Sequence, residues 1–463
     1  MKKYILGLFV GLLALSTFSQ SVEDSLYVIN IRIEGNKKTK GRIIERELTF
    51  SADSYYTRNE LDSLFEWDRN RIYNTNLFNT VDFSLVEQRG DSVTVLLTVE
   101  ERWYFYPIPF LRLIDRNISD WWVNRDRDLS RINYGIRLSQ FNFRGRNELL
   151  RVVLQSGFTS GYGLFYNIPN LDKKQNHGLL LRSSFSRARN VAFNTVENIP
   201  RFTFDSEEVL RRSFTNIVRH SYRSSLYSFH TTTLAHTYVE IADTLANLNP
   251  NFLGEQRTKQ GHFYFGHAFR YDKRDNVNYT LEGTRFFVGF FKHGLGIHRD
   301  GVNYWRGRVS GAKHWNLKNN LYAASDFSIL TTFPRRRDYF NYFRIGVIPE
   351  TLRGFDLTVV EGSSYAIQRN ELKYRLFKRN FKFLPIDQFR DFPISVFWKV
   401  YYDHGYAQGF PNYTGSEPLQ NNYLNSIGTG LDLLLIYDFT LRLELSRNSQ
   451  KNTFFFINFL ALI

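Results

Sequence analysis

Strand-length segments in which apolar and polar residues alternate recur from about Trp103 to the end of the chain. No apolar run there approaches the ~20 residues that a membrane-crossing helix needs. In "FTLRLELS", Phe439, Leu441, Leu443 and Leu445 fall on one face, with Thr440, Arg442, Glu444 and Ser446 on the other. "ELLRVVLQSG" sets Leu150, Val152 and Leu154 against Arg151 and Gln155. "SVFWKVYYD" sets Val396, Trp398, Val400 and Tyr402 against Lys399, Tyr401 and Asp403. A period of two means strands with two unlike faces. A soluble β-sandwich alternates as well, so composition has to separate the two cases. Aromatic residues make up 17% of the chain, with 43 Phe and 28 Tyr, yet the mean hydropathy is −0.37. Many aromatics without long apolar runs fit a transmembrane β-barrel, whose strands show lipid only every second residue and whose interfaces carry aromatic girdles.

The N-terminus points to export. "MKKYILGLFVGLLALSTFSQ", residues 1–20, has two lysines, an apolar core from Tyr4 to Leu15 and then small polar residues, with Thr17 and Ser19 placed for a cut after Ser19. It reads as a secretory signal peptide, too short in its apolar part for a span. Export, the aromatic load and polar loops of uneven length (Asn194–Ser213 and Asp243–Gln260) favour the barrel over the sandwich. Roughly 360 residues follow the N-terminal region, and at about 20–25 per strand with its share of loop they make ~14–18 strands, an even number. In lipid such a sheet must close, because an unpaired edge cannot be satisfied there.

The chain has no cysteine, which excludes a disulfide framework, a thiolate metal site and a lipid anchor on Cys. Its 60 Lys and Arg exceed its 45 Asp and Glu, for a formal net charge of +15. The basic residues are spread along the chain rather than gathered in one run, and an exported chain of this pattern is not expected to bind nucleic acid. It contains no G-x-S-x-G or H-E-x-x-H, so neither an enzyme nor a cofactor site is expected. His220, His230, His236, His262 and His267 fall in one region and are read as loop and lumen histidines rather than metal ligands.

Residues 26–102 follow a different pattern. "LYVINIRIEGNKKTK" alternates, with Val28, Asn30, Arg32 and Glu34 against Ile29, Ile31 and Ile33, and ends at a Gly35-Asn36 turn. "GRIIERELTF" places Ile44 and Leu48 on one side of a short helix. Thr57 and Glu60 form a capping box for a second helix, with Leu61, Leu64, Phe65 and Ile72 along it. "FNTVDFSLVEQRGDSVTVLLTVEER" reads as two strands around Arg89-Gly90-Asp91. The expected order is strand, helix, helix, strand, strand. These residues resemble a POTRA domain, in "IRIEGNKKTK", "RIYNTNLFNTVDFSL" and "SVTVLLTVEER". The resemblance implies a periplasmic module that offers a sheet edge to unfolded clients by β-augmentation.

A second resemblance covers the rest of the chain. "LRGFD", Leu352 to Asp356, is similar to the V/I-R-G-F/Y motif of the BamA/TamA-like outer-membrane assembly factors. "VVEGSSYAIQRNELKYRL", "YYDHGYA", "FRYDKRDNVNYTLEGTRF" and the two closing segments "GTGLDLLLIYDFTLRLELSRN" and "NTFFFINFLALI" follow the family's pattern in order. Glu361 stands where a glycine commonly precedes Gly362. The resemblance implies an α+β POTRA domain (residues 21–102) followed by an antiparallel transmembrane β-barrel of about 16 strands (residues 103–463), in the outer membrane with the first domain in the periplasm. It also implies a long loop folded back into the barrel. Parity agrees: Arg369, Glu371, Lys373 and Arg375 share one face and Leu372, Tyr374 and Leu376 the other, so Glu371 points inward if the second face meets lipid. Asp403 points inward by the same reasoning. Arg353, Gly354, Phe355, Glu371 and Asp403 are therefore expected to form a loop latch, with charge-assisted bonds from Arg353 and close backbone approach at Gly354. The implied work is inserting barrel proteins into the outer membrane, or moving a client across it, without ATP. Implied partners are unfolded clients, outer-membrane lipids and accessory lipoproteins. A passive channel and a secretion pore dedicated to one partner are the alternatives.

Overall fold

The computed structural model describes residues 25–113, 121–122, 126–172, 174–203, 208–298, 301–335, 338–345, 351–382, 391–411, 418–435 and 439–460. The expected signal peptide lies outside them.

The N-terminal module runs β1 (Ser25–Glu34), α1 (Gly41–Glu45), β2 (Ser54–Thr57), α2 (Arg58–Tyr73), β3 (Phe78–Arg89) and β4 (Ser92–Glu101). Its sheet order is β2-β1-β4-β3, with β1 and β4 parallel. The capping box is formed, with Thr57 accepting from the Glu60 N–H at 3.2 Å. Leu61, Phe65 and Ile72 are buried along α2. Two departures from the expected pattern have local causes. A short extra strand, β2, pairs antiparallel with β1. The β1–β4 register shifts between Val28 and Asn30, and the bulge reverses the strand's parity. Val28 is therefore buried and Ile29 exposed, whereas Ile31 and Ile33 turn back toward the core.

The rest is one antiparallel sheet of sixteen strands. In order they are β5 (Phe105–Leu113), β6 (Ile132–Phe143), β7 (Glu148–Gly157), β8 (Thr159–Ile168), β9 (His177–Ala188), β12 (Arg211–Ser225), β13 (Ser228–Ile241), β14 (Lys259–Arg274), β15 (Gly283–His293), β16 (Tyr304–Asn316), β17 (Leu321–Phe333), β20 (Ser364–Lys382), β21 (Asp391–Gln408), β22 (Tyr423–Leu434), β23 (Thr440–Asn448) and β24 (Thr453–Leu460). A hairpin, β10 (Ala192–Val196) and β11 (Ile199–Phe202), and a short pair, β18 (Phe343–Ile345) and β19 (Val360–Gly362), stand apart from the sheet. No helix among the described residues is long and apolar enough to cross a membrane.

One face of the sheet carries exposed large apolar residues on nearly every strand, among them Leu154, Leu164, Val218, Leu234, Phe265, Phe290, Ile329, Leu372, Trp398, Ile427 and Leu445. The opposite face carries the buried polar and charged groups. This inside-out arrangement is that of a transmembrane barrel. The strand-end segments expected as polar loops are more structured than that. The β10–β11 hairpin, residues 192–202, occupies the start of the first, and 243–260 hold α3 (Asp243–Leu248). Leu245, Ala246, Phe252 and Leu253 from the latter pack with Val191, Leu210 and Tyr339 in a buried cluster, so apolar residues scattered through polar sequence fold into a cap.

The sheet order begins at β24 and ends at β5, and among the described residues no ladder joins these two. β5 carries Pro107 and Pro109, opposite Leu138 and Ile136 of β6. Proline has no N–H and is tolerated in a strand where that position faces away from the paired neighbour. The two missing donors therefore face the edge that looks toward β24.

The N-terminal module is docked on the turns after β6, β8, β12 and β14. The Lys40 N–H donates to the Gly145 carbonyl at 3.0 Å, Gln175 to the Arg42 carbonyl at 2.9 Å, and Asn74 to the Asp275 carbonyl at 3.1 Å. Glu47 accepts from Arg223 of β12 at 2.6 and 2.9 Å and from Arg71 of its own module at 3.0 Å. Burial pushes the Glu47 carboxyl up, but Arg223, Arg71 and Arg46 outweigh it and hold it below the usual carboxylate range.

Candidate functional site

The connection between β17 and β20 turns back into the barrel. Leu352 and Phe355 anchor it, each 1% exposed, in an apolar cluster with Leu330, Ile345, Val360, Tyr365, Ile367, Ala407, Leu419 and Leu424. Between these anchors the chain presents Arg353 to the inner wall. Gly354 has φ +83°, and a Cβ there would lie 2.9 Å from that of Ser426. Only glycine combines the left-handed backbone with so close an approach. The Gly354 carbonyl accepts from Asn448 at 2.8 Å, and the Arg353 carbonyl accepts from the Ser426 hydroxyl.

The Arg353 guanidinium meets Asp403 of β21 side-on, Nε to Oδ2 and Nη2 to Oδ1, both at 2.6 Å. Its Nη1 donates to Glu371 of β20 at 2.9 Å. The Tyr401 ring lies beneath it, 3.9 Å from centroid to guanidinium carbon. All five residues singled out in the sequence thus come together. Glu371 and Asp403 face inward as parity predicts, since Arg369 and Asp403 are register partners.

The set extends beyond those five. Glu444 of β23 lies 4.0 Å from Arg353 and 2.8 Å from Lys399, which also pairs with Asp432 of β22 at 2.7 Å. Lys373 pairs with Glu371 at 2.8 Å. Tyr279, from the turn between β14 and β15, donates to Asp432 at 3.0 Å. Gly428 leaves the space that the Tyr401 ring fills, and the Tyr401 hydroxyl meets that of Ser446 at 2.5 Å. The network therefore links four consecutive strands, the returning loop and a turn. Every carboxylate in it faces a cation, as buried charges require. Sequence reasoning missed Glu444, Ser446, Gly428 and Asp432 as members, although "GTGLDLLL" and "LRLELS" set them on the inward face by simple alternation. Parity gives the face, but cross-strand register was needed to align them with Arg353. Glu361, in place of the family's glycine, is fully buried and accepts from Thr195 of β10 at 2.8 Å. It ties the β18–β19 pair to the β10–β11 hairpin.

The histidines require a correction. His220, His230, His236 and His267 are not in loops or the lumen. They lie on β12, β13 and β14 on the same face as Val218, Leu234 and Phe265, and of the five only His262 faces inward. The expectation failed because each sits at an outward position of a strand whose apolar signal is diluted, by Ser and Thr on β12 and β13 and by Gly and Ala on β14. His177 Nδ1 and His220 Nε2 are 3.0 Å apart. Among the described residues no three metal-ligating side chains come together.

Residues 26–102 match the family model described as "POTRA: Surface antigen variable number repeat", so the N-terminal module is a POTRA domain. Among solved structures, CdiB from Escherichia coli matches with a TM-score of 0.54 at 13% identity, over 94% of this chain and 75% of that one. CdiB from Acinetobacter baumannii matches with a TM-score of 0.49 at 13% identity, over 94% and 73%. BamA from Haemophilus ducreyi lacking POTRA domains 1-3 matches with 0.49 at 14%, over 94% and 83%. No curated protein sequence matches. The chain thus combines a POTRA domain with a sixteen-stranded barrel of outer-membrane type, in the fold of Escherichia coli CdiB. The POTRA module and the sixteen-stranded sheet are the architecture expected from the sequence.

Proposed function

We propose that this protein is an outer-membrane assembly factor, which inserts β-barrel proteins into the membrane or passes a client protein across it, without ATP or covalent catalysis. The observation that carries the reading is the first barrel strand: Pro107 and Pro109 remove two N–H donors from the edge of β5 that looks toward β24. A strand edge short of donors makes a weak seam, and a client strand pairing at the β24 side satisfies its own backbone while it enters lipid. The signal peptide at residues 1–20 delivers the chain to the periplasm. The POTRA domain stays there and supplies β3, an edge strand of twelve residues, as a template for clients. The role of Arg353, Gly354, Phe355, Glu371 and Asp403 in this reading is to latch the returning loop, so that β20 to β23 stay one rigid wall while the seam yields. Accessory lipoproteins and outer-membrane lipids are the expected partners.

The test is depletion of the protein followed by quantitative proteomics of the outer membrane. A broad fall in barrel proteins is the expected result. Loss of a single surface protein redefines the role as a dedicated translocator. An unchanged outer membrane, with channel conductance from the purified protein, overturns the proposal in favour of a passive channel.

A further inference from the structure

The barrel's inner wall is electrostatically uneven. On β20 to β23, the inward-facing Lys373, Lys399 and Arg442 are each matched by a carboxylate. Strands β6 to β9 differ. Cross-strand register carries the inward face of Glu371 around the sheet, through Ala324, His314, Gly283 and Arg274. The same parity, taken from His293 through Tyr264, Ala235 and Ile217, reaches Arg182, Phe165, Arg151 and Ser139. Arg151 and Arg182 therefore point into the lumen in one row, on either side of Phe165. Neighbouring strands lie about 4.8 Å apart, so the two Cα atoms are separated by roughly 10 Å, a gap that two arginine side chains can close on a shared ligand. Arg137 joins them on the lining of a cavity of about 530 Å³, with Gln155, Ser184 and Ser186.

The recess is built by absence of side chain. Gly163 lies opposite Ser184, and a Cβ there would find its nearest neighbours only at 3.9 Å. The wall's own acid is used elsewhere: Glu148, at the turn, pairs with Arg144 and Arg146 at 2.9 and 3.5 Å. Among the described residues no carboxylate stands within ion-pair distance of Arg151 or Arg182, and Arg151 donates only to the Ser139 hydroxyl, at 2.9 Å.

We propose that this recess is a binding site for an oxyanion, a phosphate or carboxylate group held by Arg151 and Arg182 with Arg137 beside them. Forked guanidinium donors around an open pocket, with the Gln155 amide and the Ser184 and Ser186 hydroxyls beside them, match the planar or tetrahedral oxygens of such groups. The ligand is a molecule with at least two anionic groups, either a polyphosphate or an acidic stretch of polypeptide in the lumen. The inference holds whether or not the protein acts on clients, since it concerns only what this wall binds.

The experiment is calorimetric titration of the full chain in detergent micelles with tripolyphosphate and, separately, with a hexaglutamate peptide, at low and high salt. One saturable site is expected for at least one probe, weakening as salt rises. Stronger tripolyphosphate binding assigns a phosphate ligand, and stronger hexaglutamate binding an acidic polypeptide. The paired substitution R151Q/R182Q is expected to weaken binding at least tenfold, while Arg375→Gln on the opposite wall leaves it unchanged. Gly163→Leu, which fills the recess and keeps every charge, is expected to weaken it as well and provides the reading if R151Q/R182Q fails to fold. Heat-modified gel mobility reports folding in each case. No binding of either probe to the unaltered protein, or undiminished binding in a folded R151Q/R182Q or Gly163→Leu protein, overturns the proposal.

Discussion

Arg353 is held by two carboxylates and an aromatic face at once, so its removal costs more than one ion pair. Arg353→Ala leaves Asp403, which is fully buried, without its main partner. A loss of about 3–5 kcal/mol is expected, because an uncompensated buried charge remains. The check is the temperature at which the barrel loses its heat-resistant gel mobility. Arg353→Lys is expected to recover only part of that loss, since an ammonium cannot reproduce the side-on pair with Asp403. Unchanged stability in Arg353→Ala would remove the latch from the account. Gly354→Ala tests the backbone separately. The left-handed conformation costs an alanine roughly 1–2 kcal/mol, and its methyl group must also displace Ser426. Here the sequence was legible because the motif is local, and because strand parity aims Glu371 and Asp403 inward without knowledge of the fold. Glu444 and Tyr279 were not legible, since nothing in a linear sequence aligns them with residue 353.

At the scale of the element, β5 and β1 show where periodicity stops being sufficient. The Ile-rich alternation of β1 is genuine, but a bulge after Val28 reverses its sense partway along. A bulge depends on the partner strand, here β4, which the pattern of β1 does not contain. In β5, the prolines of "FYPIPF" break no periodicity, and it is the sheet order that shows them on an edge strand facing the seam. Pro107→Val with Pro109→Val restores two donors to that edge. The expected outcome is a more heat-resistant barrel with weaker client handling, read as gel mobility and as outer-membrane protein levels in cells carrying the variant. A more stable barrel with normal assembly would show that the seam's weakness is not used.

Across the whole molecule, the POTRA domain is fastened to the barrel through Glu47. Its folded-state pKa is depressed by Arg223, Arg71 and Arg46, which overcome its burial. A depressed carboxylate contributes stability that is present above its unfolded value of about 4.3 and is lost as pH falls through the folded value. Docking is therefore expected to be constant from neutral pH down to about 5 and to weaken only in stronger acid. Asp68, whose carboxyl burial pushes up against the pull of Thr49 and Arg71, changes in the opposite sense and favours the folded module as pH falls. The two are separated by Glu47→Gln, which is expected to loosen docking at neutral pH and abolish the Glu47 part of the acid transition. Hydrogen exchange at the Leu226-Tyr227 turn, corrected for intrinsic rates, reads both effects.

Alternation, aromatic load and the absence of long apolar runs determined from sequence alone that the chain is a barrel with a small α+β module before it. On the strands with clear alternation, such as β7, β20, β21 and β23, they also determined which side meets lipid, because a period of two is a property of the strand itself. The resemblance around Arg353, joined to strand parity, pointed to residues that the structure brings together. Tertiary structure alone decided the register that joins Arg353 to Glu444, the outward placement of His220, His230, His236 and His267, and the burial of Phe252 and Leu253 in a cap. It also decided the contact of Glu47 with Arg223, 176 residues away. Each of these depends on which residues of different strands and loops stand opposite one another, and that is set by how the strands pair and the loops pack rather than by any one segment.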